Sequence, residues 1–229
     1  DTYNKKEIKN IAKKCFKNIG QTIFEFIQLP KLKKNDKILK YIDFGDSLTV
    51  IDELLSRKKG IISVSAHIGN WEFMCASTSL LSYPINVVVR LLDNPLLDKY
   101  VENFREIYGT KVIPKQEAAK KSFRILKNNE IIAYLIDQNW AFGGVFVPFF
   151  NKLAATVTGP ALFSYKLKET PIMLAYSYRT NDYKHHIVFE EIETYKTDDK
   201  EEYILKNTEI FTNHIEKIVK LYPEQWLDR

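Results

Sequence analysis

The segment IISVSAHIGNWEF, residues 61–73, opens on a β-branched run and passes through a histidine, a glycine and an asparagine to a glutamate. IISVS reads as a strand, Gly69 tolerates the positive φ of a tight turn, and Asn70 is a good helix N-cap. The segment therefore predicts a strand, a short loop and a helix from about Asn70. His67 and Glu72 are five positions apart. In one continuous helix that spacing points two side chains about 140° away from each other. They can meet only if His67 lies on the loop and Glu72 in the first helical turn. Sheets of α/β proteins place ligands at the carboxyl ends of their strands, which is where His67 falls. In the catalytic reading Glu72 holds the imidazole tautomer while His67 takes a proton from a nucleophile. In the plainer reading His67 is a satisfied buried histidine and Glu72 favours the helix N-terminus electrostatically. The spacing leaves both open.

Outward from this segment, strands and helices alternate. INVVVR (85–90), KVI (111–113) and IIAYLID (131–137) are strand-like, with helices from about Asn94 and across 117–126 between them. The strands lack strict alternation, as expected when helices cover both faces of a parallel sheet. VFVPFF and PIMLAYSYR then flank a helix from about Thr158, where Thr158 and Pro160 suit helix initiation. A further strand, HHIVFEEI (185–192), precedes a helix over about 201–221. The expected class is α/β, a mixed, mainly parallel sheet flanked by helices, with the last third adding strands to the same sheet. KILKYIDF (37–44) reads as another strand, and Ser47–Lys58 as a short helix. At the N-terminus Ile8, Ile11, Cys15, Ile19, Ile23 and Phe26 recur at helical spacing among lysines, predicting an amphipathic helix over about 4–28. The 229 residues are expected to form a single domain, 1–229.

Hydrophobic residues make up 45% of the chain and charged ones 28%, a globular composition rather than a disordered one. The two cysteines, Cys15 and Cys75, form neither a CxxC nor a zinc pattern and fit a reducing setting. His185 and His186 are neighbours in a strand, so they face opposite sides and cannot chelate one metal. No metal site is expected. Residues 1–60 carry 14 Lys/Arg against 8 Asp/Glu, so the net charge of +5 is concentrated there. That surface suits anionic headgroups or an acidic protein. Nucleic acid is disfavoured, because Phe16, Phe24 and Phe26 fall on or near the apolar stripe instead of among the lysines. No apolar run is long enough to span a bilayer. The chain opens on Asp1 within a charged helical pattern, and an N-terminal segment is expected to precede it.

Several blocks together resemble the late acyltransferases of lipid A biosynthesis, a branch of the lysophospholipid acyltransferase superfamily. AHIGNWE resembles their HxGNWE signature. VVVRLLDNP (87–95) looks like their arginine-bearing strand and turn, IDQNW (136–140) like their D-Q segment, and GVFVPFFNKLAATVTGPALFSYKLKETPI (144–172) like a longer block, with a weaker echo at YPEQW (222–226). The sequence departs from the pattern at Asn129, at Asn151 and in its WLDR ending.

The resemblance implies a lysophospholipid acyltransferase-like fold. It implies transfer of a fatty acyl chain from acyl carrier protein to a hydroxyl of a membrane glycolipid, at the cytoplasmic face of the inner membrane. His67 would be the general base and Glu72 its orienting partner. The acceptor would attack the thioester directly, with no cofactor and no enzyme nucleophile. In keeping with that, no GxSxG elbow occurs and Cys75 lies where a helix would bury it. Arg90 would stabilise the oxyanion or hold a phosphate; a salt bridge to Asp93 or Asp98 is its alternative. Asp137 would fix Arg90 or the acceptor sugar, or serve as a turn cap. Asn70 and Gln138 would line the site. A missing membrane anchor before Asp1, an acyl-CoA donor with a lyso-phospholipid or mannosylated acceptor, and a non-catalytic lipid-binding relative remain compatible with the residues.

Overall fold

A computed structural model describes residues 3–140, 143–168 and 170–227. Asp228 and Arg229 of the WLDR ending lie outside the described residues. Its centre is a seven-stranded sheet in the order β1-β9-β8-β2-β5-β3-β4. The strands are β1 (Ile42–Asp43), β2 (Ile61–Ser65), β3 (Ile85–Val89), β4 (Lys111–Pro114), β5 (Ile131–Leu135), β8 (Ile172–Arg179) and β9 (His185–Ile192). β8, β2, β5, β3 and β4 run parallel, and β9 returns antiparallel against β8. The α/β expectation of a mixed, mainly parallel sheet holds.

The lack of alternation along the strands has the expected cause. Ile62 and Val64 of β2, with Ile132 and Tyr134 of β5, point to one face. There they meet α5 (Lys115–Lys127), α6 (Gly159–Lys166) and α7 (Lys200–Leu221). Ile61, Ile131 and Ala133 point to the other face, against α2 (Ser47–Ser56) and α3 (Trp71–Leu80). Every residue of β2 is buried. α4 (Pro95–Glu106) begins on an Asn94 cap with proline in its first turn.

Three expectations are corrected. KILKYIDF is not a strand: Lys34–Tyr41 is a 3-10 segment and only Ile42–Asp43 joins the sheet. Asn35 and Asp36 there take left-handed φ of 57° and 53°, which short polar side chains tolerate. VFVPFF does not join the main sheet either. β6 (Val145–Phe149) pairs with β7 (Lys152–Thr156) in a separate hairpin, turned by Phe150 and Asn151 at positive φ.

The third concerns α1, which spans Lys5–Leu32 and runs through Pro30, where a proline so near the end costs little of the helical ladder. Its buried face is Asn18, Thr22 and Leu29, whereas Ile8 and Ile23 of the expected stripe, and Phe16 and Phe24 expected on or near it, are exposed on the same helix as the lysines. The reason is what lies beneath: α1 covers the turn after β2, whose backbone needs polar partners. Among the described residues no helix is long and apolar enough to cross a membrane.

Candidate active site

β2 and β5 run in register, Ser65 beside Leu135, and the ladder continues from Ile136 N to Ser65 O at 3.0 Å. His67 and Asp137 each follow two residues later, so the two chains deliver them side by side. The His67 backbone N–H donates to Asp137 Oδ2 at 2.8 Å, and His67 Nδ1 lies 2.9 Å from Asp137 Oδ1. The Asp137 side chain is 1% exposed and that of His67 18%. A carboxylate that can only accept fixes the proton on Nδ1 and leaves Nε2 as the basic nitrogen. Among the described residues no hydrogen bond occupies Nε2.

The turn itself is built as its residues predict. His67 is on the loop, Gly69 takes φ +61°, and Asn70 Oδ1 accepts from Phe73 N at 2.9 Å at the start of α3. A Cβ on Gly69 would sit 2.0 Å from Ser177 O, so the close approach to β8 requires glycine. Glu72 is in the first helical turn, but it does not hold His67. Its carboxylate takes Arg105 of α4 through Nε at 3.2 and 3.1 Å and Nη2 at 2.6 Å. Burial works against the Arg105 charge, yet Glu72 outweighs it and raises the pKa of the guanidinium. The expectation of Glu72 as orienting partner is therefore corrected: Nδ1 is already claimed by the carboxylate arriving from β5.

The remaining expected residues separate. Arg90 follows β3 at the same sheet edge, but its side chain is 62% exposed and paired with exposed Asp93 at 3.0 Å. Asp137 does not fix Arg90; it binds His67 and the Trp226 indole N–H, the latter at 3.0 Å. Asn70 is wholly buried, donating to Glu25 Oε2 at 2.7 Å, so it caps and anchors instead of lining the site. Gln138 does line a cavity of about 310 Å³, with Asp137, Phe149, Phe150, Ala155 and Trp226. Burial, reinforced by Glu72, pushes the Cys75 thiol up to about 12, which removes it as a thiolate nucleophile.

Two supports of the turn were not anticipated. From below, α1 sends Thr22 Oγ1 to Gly69 O at 3.2 Å and Glu25 to Asn70, while Glu25 also pairs with Arg179 and lies 3.3 Å from His185 Nε2. Burial pushes the Glu25 carboxyl up, but His185 and Arg179 outweigh it and hold the group down at about 2. From above, residues 222–227 cross the turn. Gly69 N donates to Gln225 O at 3.0 Å, Leu227 N to His67 O at 2.9 Å, and Ile68 bridges Trp226. A polar residue within an apolar helical stripe, such as Glu25, was the one sequence signal for the first support; the YPEQW echo was the signal for the second.

A comparison with curated protein sequences gives no match. A family model described as bacterial lipid A biosynthesis acyltransferase matches residues 3–227 of the 229. That span contains the His67 turn, the Asp137 loop and the strap that crosses them, and the chain belongs to the bacterial lipid A biosynthesis acyltransferase family and is an acyltransferase.

Proposed function

We propose that the protein transfers a fatty acyl chain from the thioester of acyl carrier protein to a hydroxyl of a glycolipid acceptor of the lipid A precursor type. His67 is the general base. Its Nε2 takes the hydroxyl proton as the acceptor oxygen attacks the thioester carbonyl. The tetrahedral oxyanion collapses, the C–S bond breaks, and the imidazolium returns the proton to the departing thiolate. Asp137 holds the Nδ1–H tautomer and stabilises the imidazolium between these steps. Glu72 acts one step away, tying α4 to α3 beside the turn through Arg105. Among the described residues Arg90 is held only by an exposed ion pair, which is worth little. It is free to turn toward an acceptor phosphate or the developing oxyanion. No cofactor enters the reaction as proposed.

The observation that carries this reading is the His67–Asp137 pair in the turn that holds the family's HxGNWE signature. The cavity beside Asp137 supports it, since Phe149, Phe150, Ala155 and Trp226 offer the apolar wall an acyl chain needs. The surface supports a place at the cytoplasmic face of the inner membrane. α1 exposes Phe16, Ile23, Phe24 and Ile27, and α4 exposes Leu96 and Leu97. Lys5, Lys6, Lys9, Lys13, Lys14 and Lys17 share α1 with these apolar residues and suit anionic headgroups or the acidic carrier protein.

Purified protein should acylate an under-acylated lipid A precursor from acyl carrier protein donors, with the product read by mass spectrometry. His67→Ala should lower kcat at least about a thousandfold while thermal unfolding stays that of the parent. Near-normal turnover in His67→Ala would refute the base. Turnover from acyl-CoA alone would refute the carrier-protein donor.

A further inference from the structure

The segment after α7 reaches the Asp137 carboxylate. Among the described residues, three groups hydrogen-bond the Asp137 carboxylate: the His67 backbone, the His67 ring and the indole N–H of Trp226. The indole donates to Oδ2 at 3.0 Å, the oxygen that also accepts from His67 N, while Oδ1 faces the ring. Two donors on Oδ2 hold the carboxylate in rotation, so that Oδ1 stays aimed at Nδ1. Without the indole, one of the two is gone.

The indole is itself locked. Its backbone bridges Ile68, its neighbours Gln225 and Leu227 bond Gly69 and His67, and the Gln225 side chain makes a reciprocal pair with the Arg179 backbone at 2.6 and 3.0 Å. The ring stacks near Phe150, with centroids 6.2 Å apart, and meets Phe149 edge-on at 5.8 Å. These same aromatic rings wall the cavity next to Asp137.

We infer that Trp226 is a positioning residue: its N–H holds Asp137, and through it the His67 base, in reacting geometry, while its ring forms a wall of the cavity that takes the acyl chain. The inference rests on the reading of His67 as general base and of the cavity as the acyl site. One aromatic side chain then registers both the substrate chain and the catalytic carboxylate.

The test separates the N–H from the ring. Benzothienylalanine placed at 226 keeps the bicyclic shape and replaces N–H by sulfur, and Trp226→Phe is the genetic counterpart. With a saturated acyl carrier protein donor and a lipid A precursor, both should lower kcat about tenfold, the worth of one hydrogen bond to a charged group, with donor KM within about twofold. Trp226→Ala should add a changed preference for donor chain length. His67→Ala serves as the reference. Wild-type kcat in the benzothienylalanine protein, alongside an inactive His67→Ala, would overturn the role of Trp226 and leave the base standing. An active His67→Ala would instead overturn the reading on which the inference rests.

Discussion

Asp137 and Glu72 flank the same turn, and what holds each of them differs. Asp137 is 70 residues from His67 in sequence, yet it meets both the backbone and the ring of that residue. Glu72 is in the adjoining helix, yet its three hydrogen bonds go to Arg105 on α4. Sheet register explains the first, because β2 and β5 are aligned and end together. Helix direction explains the second, because a side chain in the first turn of α3 faces the neighbouring helix as readily as the preceding loop. Short spacing in sequence thus proves a weaker guide to pairing than adjacency of strand ends.

Asp137→Asn should break the first side of the contrast most severely. We expect kcat to fall by about two to three orders of magnitude, because the amide no longer fixes the tautomer or stabilises the imidazolium. Rapid-quench measurement of acyl transfer checks it, and a loss confined to KM would count against the assignment.

Glu72→Gln should act differently. It leaves Arg105 without its partner in a half-buried site, at a cost of about 2 kcal/mol in denaturant unfolding. Arg105→Met should cost a similar amount, and the double variant little more than either, since the two form one unit. Additive losses would show that Glu72 has a separate partner, His67 being the obvious one.

The smallest effect concerns the two faces of α1, one clamping the turn and one exposed. Replacing Phe16 and Phe24 with serine should reduce co-flotation with vesicles containing phosphatidylglycerol by about threefold and leave thermal unfolding unchanged. Undiminished flotation would remove the exposed face of α1 from membrane docking.

The sequence made the strand-turn-helix around His67 legible because its signals are local: a β-branched run, a glycine that must take positive φ and an asparagine cap. It carried the candidate residues as well, but not their partners. KILKYIDF (37–44) reads as a strand because Ile38, Leu39 and Tyr41 look strand-like, while the left-handed pair Asn35 and Asp36 just before it turns the chain into a 3-10 segment. The inner face of α1 departs from an apolar stripe because Thr22 and the part-buried Glu25 hydrogen-bond the turn and buried Asn18 bonds Gln225 of the segment above it, which hydrophobic periodicity cannot register. Trp226 lies 89 residues from the Asp137 it contacts, and only the folded arrangement joins them.

The nitrogen-15 spectrum of the His67 ring, recorded at neutral pH in the parent and in Asp137→Asn, tests most directly whether Asp137 sets the catalytic base. The account predicts a proton on Nδ1 and a bare Nε2 in the parent, with that preference erased in Asp137→Asn and retained in Glu72→Gln. A parent ring protonated on Nε2, or one whose tautomer changes with Glu72 and not with Asp137, would contradict it.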